Sequence, residues 1–371
     1  QAYFFERGGH SLLNVQMMER LGGVGLTAEV RRVFDSATLA QLASVLRSGA
    51  APLDVPANLI PAGCEAIEPQ MLPLVELEAE HIEQIVRSVP GGAANIQDIY
   101  PLAPLQEGIL FHHLLDRESG DAYLVTTALQ VATRERVEEL IAALQAAMDR
   151  HDILRTAILW EELPRPVQVV YRQVKLPVEE IELDADRDGV EQIRELIEPR
   201  RQRVDLRQAP LLRLQVAQDR RKGQWYGLRQ LHHIINDGLS AQILFSEVVA
   251  HLEGRAQQLP RPVPYRDYVA QALAYARTHD MEGFFRGKLG EVEEPTAPFG
   301  LLDVHRDGSR VEKAHELLSE GLSSSVRMQA RRHGVSAATL FHAAWALVVA
   351  HTSAREDVVF GCVLVRGGGS A

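Results

Sequence analysis

The chain has 371 residues, of which 39 are Lys or Arg and 50 are Asp or Glu, giving a formal net charge of −11. Hydrophobic residues make up 46% and charged residues 24%, an ordinary globular mixture that excludes wholesale disorder, and the acidic total argues against nucleic acid as a partner. Two cysteines, Cys64 and Cys362, are too few for a disulfide framework or a zinc ligand set, so a reducing, cytoplasmic setting and no metal are expected. No apolar run is long enough to cross a membrane; the best stretch, around Ala337–Val349, carries Thr339 and His342. The length predicts about two domains. The first residue is not Met and the chain opens directly on Phe4 and Phe5, as a segment of a longer protein would.

Residues 1–50 predict a small all-α helical bundle. Leu12, Val15, Met18 and Leu21 recur at helical spacing after Ser11, and Gly22 and Gly23 stop that helix. Ser36 can cap a last helix with Leu39, Leu42 and Leu46 on one face. Residues 51–72 hold Pro52, Pro56, Pro61 and Pro69, which fix φ and predict a semi-rigid linker. A helix is expected over 77–88, ending at Pro90–Gly91–Gly92.

From Asn95 the pattern is mixed α/β. Residues 134–151 place Val137, Leu140, Ile141, Leu144 and Met148 on one stripe of an amphipathic helix. Residues 166–171 read as a strand. Leu212, Leu214 and Val216 alternate with polar residues over 211–218, a turn cluster follows at 219–223, and 224–231 returns, so a hairpin is predicted. Ser240–Leu252 is a helix with Gly254 after it.

Two places carry candidate chemistry. In FFERGGHSLL (residues 4–13), Ser11 stands where a glycine pair meets a helix. One reading makes it an N-cap. The other uses the same free N–H groups and dipole to receive a phosphodiester on the Ser11 oxygen. A hydrolase elbow needs a second glycine after the serine, which is absent here. In LHHIINDGLS (residues 231–240), His232 and His233 lie on extended backbone and must point to opposite faces, so one can enter a site while the other packs. That divergence weakens a metal reading, which needs converging ligands. Two ordinary strand-end histidines followed by an Asp237–Gly238 turn is the bland reading. The chemical one is that neutral imidazole is the usual proton acceptor.

These residues bring a family resemblance into view. Residues 4–46 resemble the peptidyl carrier domain of non-ribosomal peptide synthetases, with GGHSLL similar to its attachment motif and FDSATLAQLA to its ending. The resemblance implies 4′-phosphopantetheine on Ser11, with the carrier's first helix lying before Gln1. His232, His233, Asp237 and Gly238 resemble the HHxxxDG signature of condensation domains in the same synthetases, two-lobed α/β relatives of chloramphenicol acetyltransferase. YPLAPLQEGIL (100–110), RHDILRT (150–156), PYRDYVAQ (264–271) and ATLFHAAWALVVAHTSAREDVVFG (338–361) resemble further motifs of that family in the right order. The implied layout is a carrier over 1–50, a linker over 51–72, and a condensation domain over 73–371, truncated in its second lobe.

The resemblance also implies roles. His233 would project into the tunnel between lobes and accept a proton from, or orient, the attacking amine. His232 would pack, and Asp237 would hold the loop as an ion-pair partner, with Arg155 and Arg366 as candidates. FHHLLDRESGDAY (111–123) resembles the extra motif of dual condensation/epimerisation domains, which would give His112 and His113 a part in epimerisation. This chain has one residue more than that pattern before Gly120–Asp121. The plain alternative is an amphipathic helix ending near Leu115 with an exposed loop. Implied partners are an upstream adenylation domain, a downstream aminoacyl carrier domain and a phosphopantetheinyl transferase. Competing functions are a stand-alone acyltransferase of the chloramphenicol acetyltransferase type, a non-catalytic docking module and a simple hydrolase.

The Ser11 reading is directly testable. Incubation with a phosphopantetheinyl transferase and coenzyme A should add one pantetheinyl mass to the chain, and Ser11→Ala should abolish the gain; an unchanged gain in that variant excludes the site.

Overall fold

The computed structural model describes residues 17, 21, 26–27, 39–48, 55–115, 120–197, 203–302, 314–333 and 335–362. Ser11 and Arg366 therefore lie outside the described residues, as do Gly22, Gly23 and Ser36. The chain divides into two compact units, Val55–Arg277 and the pair of segments Gln1–Asp54 with Thr278–Ala371. Among the described residues no single helix is long and apolar enough to cross a membrane.

Within residues 1–54 the described elements are helix α1 (Leu39–Val45) and a two-residue antiparallel ladder of β1 (Leu26–Thr27) with β2 (Arg47–Ser48). The rest of the expected bundle lies outside the described residues. Two-residue strands are too short to leave an alternation pattern, so the ladder has no signature in the sequence.

The Val55–Arg277 unit is α/β. Its helix α2 (Ala79–Ser88) starts at Glu78, whose side chain and that of His81 form a capping box, and it stops before Pro90. Strand β3 (Ile96–Pro101) leads into α3 (Pro104–Leu115), then β4 (Leu124–Val131) and α4 (Arg134–Arg150). Strands β5 (Thr156–Leu159), β6 (Val167–Tyr171) and β7 (Val178–Ile181) precede α5 (Gly189–Ile197). The hairpin β8 (Leu212–Asp219) and β9 (Gln224–His232) feeds α6 (Gly238–Leu252), and α7 (Tyr265–Thr278) closes the unit. One sheet has the order β3-β6-β5, all antiparallel; the other has the order β4-β9-β8-β7, with only β7 and β8 parallel.

The predicted α4 stripe is the packing face: Val137, Leu140, Leu144 and Met148 are buried against Leu212, Leu214 and Val216 of β8, with Leu244 and Val248 of α6 in the same cluster. Strand β6 is buried on both faces, as a central strand must be. Its Val167, Val169 and Tyr171 join a second core with Ile82 and Ile85 of α2, whereas Gln168 and Val170 face the other way.

Residues 55–72, expected as a linker, are packed into this second core. Ile60, Cys64, Ile67 and Leu72 are buried in it. Arg172 donates to the carbonyls of Ile60 and Pro61 at 3.0 and 2.8 Å, and Arg266 to the carbonyl of Pro56 at 2.7 Å. Proline fixes φ equally well in packed extended chain, so composition alone could not separate the two.

The segment RHDILRT ties the unit together. Arg150 pairs with buried Glu247 of α6 at 3.0 Å, and Asp152 accepts the Tyr265 N–H at the start of α7. Arg155 is buried and donates to the carbonyls of Met148 (3.2 Å), Arg172 (3.1 Å) and Tyr171, and to Gln97 Oε1 (3.0 Å). This corrects the expected Arg155–Asp237 ion pair: the guanidinium serves backbone carbonyls.

In the other unit, α8 (Met281–Leu289), α9 (Glu320–Arg332) and α10 (Ala337–Ser353) are capped by Asp280, Ser319 and Ser336 respectively. After α10, residues 358–362 form no strand among the described residues.

Arg155→Ala would strand three interior carbonyls, and the expected loss is about 3 kcal/mol of unfolding free energy. Urea unfolding should show an earlier midpoint, only partly recovered by Arg155→Lys, whose ammonium lacks the planar fork. A midpoint equal to the unsubstituted chain's would contradict this role.

Candidate functional site

Strand β9 delivers the two histidines and sends them apart. His232 pairs across to Leu124 and is wholly buried, while His233 begins a single 3₁₀ turn, His233–Ile235, with its side chain exposed. The backbone N–H of His233 donates to the carbonyl of Tyr123 at 2.8 Å.

Both ring nitrogens of His232 are committed. Nδ1 accepts the Ile234 N–H at 3.0 Å, so the ring proton resides on Nε2, which donates to Asp121 Oδ2 at 3.1 Å. Asp121 Oδ2 also accepts from His113 Nδ1 at 2.9 Å, and its Oδ1 accepts the Tyr123 N–H at 3.0 Å. His113 is buried on α3, with its ring edge-on to that of His232 at 5.7 Å between centroids. Burial opposes ionisation of Asp121, yet the hydrogen bonds from His113 and His232 hold its carboxyl well below the usual carboxylate range. Burial pushes the His232 imidazole below the ordinary histidine value, against the pull of Asp121. The cluster is therefore an ionised carboxylate held between two imidazoles.

His113, Asp121 and His232 also lie close enough to hold a metal ion. The Ile234 bond argues against that use. A metal on Nε2 of His232 would require the proton on Nδ1, facing the Ile234 N–H donor.

His233 has the opposite tautomer. Its Nδ1 lies 3.0 Å from the Asn236 carbonyl and donates to it, which leaves Nε2 with a lone pair at an exposed position. Gln106 on α3 fixes the same turn from the other side. Its Nε2 donates to the Ile234 carbonyl at 2.8 Å, and it pairs with buried Gln168 at 2.9 Å.

Asp237 is the N-cap of α6. It accepts the Ser240 N–H at 2.7 Å, with the Ser240 hydroxyl completing a capping box. Asp237 thus holds the loop by capping its own helix, and no ion pair of Asp237 occurs among the described residues. Gly238 is the first residue of α6, and a Cβ built there meets nothing within 4 Å.

The structure thus gathers His232, His233, Asp237 and Gly238 with His113, and leaves Arg155 in a separate role. His112 is exposed on α3, 6.1 Å from the Tyr123 ring. Helix α3 is described as far as Leu115, and within it His113 is buried and bonded; residues 116–119, which hold the extra residue, lie outside the described residues. Asp121 and Gln106 were missed as site residues. Each had a signal, Asp121 in its place after Gly120 in the extra motif and Gln106 in its place within the YPLAPLQEGIL motif, but neither signal says which group the side chain would reach.

Residues 96–366 match the family described as Condensation domain. The chain is 46% identical over 365 residues to malpibaldin synthetase of Mortierella alpina, covering 98% of this chain and 6% of that protein. It is 46% identical over 362 residues to malpinin synthetase of the same organism, covering 97% and 5%. One of the linear gramicidin synthase proteins of Brevibacillus parabrevis is 32% identical over 287 residues, covering 73% and 5%. The chain thus spans a small fraction of each relative. Among solved structures, a holo four-domain nonribosomal peptide synthetase bound to AMP and glycine matches with a TM-score of 0.54 at 17% identity, covering 70% of this chain and 20% of that one. The EpoB cyclization-docking bidomain from Sorangium cellulosum matches with a TM-score of 0.52 at 20% identity, covering 69% and 52%. These structural likenesses bear on fold alone.

The cluster sets an acid limit. Asp121 and His232 both have folded values below their unfolded ones, so each contributes stability that is complete above the unfolded value and lost as pH falls. Melting temperature should decline from about pH 6.5 downward and fall further below about pH 4, and Asp121→Asn should flatten the lower limb. Equal acid slopes for the two proteins would contradict the assignment.

Proposed function

The chain belongs to the condensation-domain family of nonribosomal peptide synthetases, and on that premise we propose that it joins an upstream acyl thioester to a downstream aminoacyl thioester by amide formation. The observation that carries this is His233. Its Nδ1–H is tied to the Asn236 carbonyl, so in the neutral ring the exposed Nε2 is the acceptor. The acceptor amine attacks the thioester carbonyl, the C–N bond forms and the C–S bond breaks. His233 Nε2 takes the amine proton and returns it to the departing thiolate. An α-amino group titrates at about 7.7–8.0, so neutral amine is plentiful near pH 7. What the site must add is alignment and a proton acceptor already in the right tautomer. A side chain on Gly238 would meet none of the described residues within 4 Å, so the start of α6 leaves space that a substrate could use.

The wider assignment rests on sequence. Ser11 is the proposed attachment point for 4′-phosphopantetheine, which when bound supplies a flexible thiol carrying the donor acyl group. The partners are the upstream adenylation domain, the downstream aminoacyl carrier and the transferase that modifies Ser11. A finer reading adds epimerisation of the donor residue. It is supported by the extra motif itself, with His113 in the buried cluster and His112 exposed beside Tyr123, where its ring is free to meet a ligand.

Condensation can be assayed with donor loaded on the carrier and an acceptor aminoacyl carrier. His233→Ala should keep its circular dichroism spectrum and lose dipeptide formation by about 10²–10⁴-fold. Undiminished yield from the folded variant would remove His233 from the reaction. The configuration of the donor residue in the product decides the finer reading, D for epimerisation and L against it.

A further inference from the structure

We propose that Asp121, supported by His113, is a positioning residue for His233, acting through the tautomer of His232. The inference rests on the reading of His233 as proton acceptor and assigns what aims it.

Two hydrogen-bonded routes run from Asp121 to His233. In the first, Asp121 Oδ2 takes the Nε2 proton of His232, which obliges Nδ1 of that ring to be the acceptor of the Ile234 N–H. That N–H belongs to the turn bearing His233, and Gln106 holds the carbonyl of the same residue. With both polar groups of Ile234 bound inside the protein, the turn has one conformation. The other tautomer of His232 would set an Nδ1–H against the Ile234 N–H, two donors facing each other in a buried site. In the second route, Asp121 Oδ1 accepts the Tyr123 N–H, and the Tyr123 carbonyl accepts the N–H of His233 itself. A single buried carboxylate thus fixes the backbone on both sides of the His233 side chain. His113 completes the site as the third donor.

The donor count makes the test sharp. His113, His232 and Tyr123 place three donors on two carboxylate oxygens. Asparagine has the same shape but one acceptor oxygen and one NH₂, so Asp121→Asn must set a donor against either the two imidazoles or the Tyr123 N–H. This role differs from epimerisation, which a donor already in the D configuration would bypass.

The full chain is labelled with ¹⁵N-histidine, and tautomers are read from two-bond ¹H–¹⁵N correlations in the unsubstituted protein and in Asp121→Asn. Condensation is assayed in parallel with a D-configured donor. The expected result is a single Nε2–H form of His232 and Nδ1–H form of His233 in the unsubstituted chain. In Asp121→Asn both signatures should be lost or mixed, with kcat lowered about tenfold or more and KM for the acceptor within about twofold. Unchanged tautomers would overturn the proposal whatever the rate does, and so would an unchanged rate with altered tautomers. Should the unsubstituted chain form no amide, the reading of His233 as acceptor fails separately, and the His233 spectrum in Asp121→Asn still decides whether Asp121 aims that ring.

Discussion

Extended backbone sends successive side chains to opposite faces, so the strand that brings His233 to an exposed position drives His232 into the interior. A buried imidazole needs partners for both nitrogens, and here one is the Ile234 N–H and the other is Asp121. A buried carboxylate in turn needs donors on both oxygens, which recruits His113 from α3 and the Tyr123 N–H at the head of β4. Each demand creates the next, and together they bind α3, β4 and β9 around one turn.

The family motifs outside the histidines have structural tasks. RHDILRT contributes no group to the turn that bears His233. Its Arg150, Asp152 and Arg155 hold α6, the start of α7 and the end of β6 in place around α4. Gln106, from the motif that opens the matched region, reaches the Ile234 carbonyl directly. The buried Asp98–Arg266 pair, 2.7 Å apart, links the strand that leads into that opening motif to the motif after the histidines. Burial pushes the Asp98 carboxyl up to about 6 against the attraction of Arg266. That pair therefore fixes geometry at a cost in stability near neutral pH, as buried ion pairs often do.

The sequence made elements legible wherever one face alone is buried. The α4 stripe and strand β8 are clear because period 3.6 and period 2 follow from burial on one side, whereas β9, buried at most positions, is placed by the turn cluster before it. The divergence of His232 and His233 was legible for the same reason. What could not be read was convergence across distance. Asp121 and His232 are 111 positions apart, and an Asp after a Gly reads locally as a turn. The ion-pair role expected of Asp237 came with the family resemblance, whereas an Asp directly before a helix is a local N-cap signal, and the capping box with Ser240 is what the structure shows. The packing of residues 55–72 was hidden because prolines give the same backbone in a tether and in a seam.

Among the described residues nothing lies within 4 Å of the place a side chain on Gly238 would take, and the backbone there has no positive φ that would call for glycine. The described residues give no steric reason for glycine at this place, and on the proposed reading that space belongs to substrate. How bulky a replacement the site accepts before turnover falls measures how closely the incoming substrate approaches the end of α6.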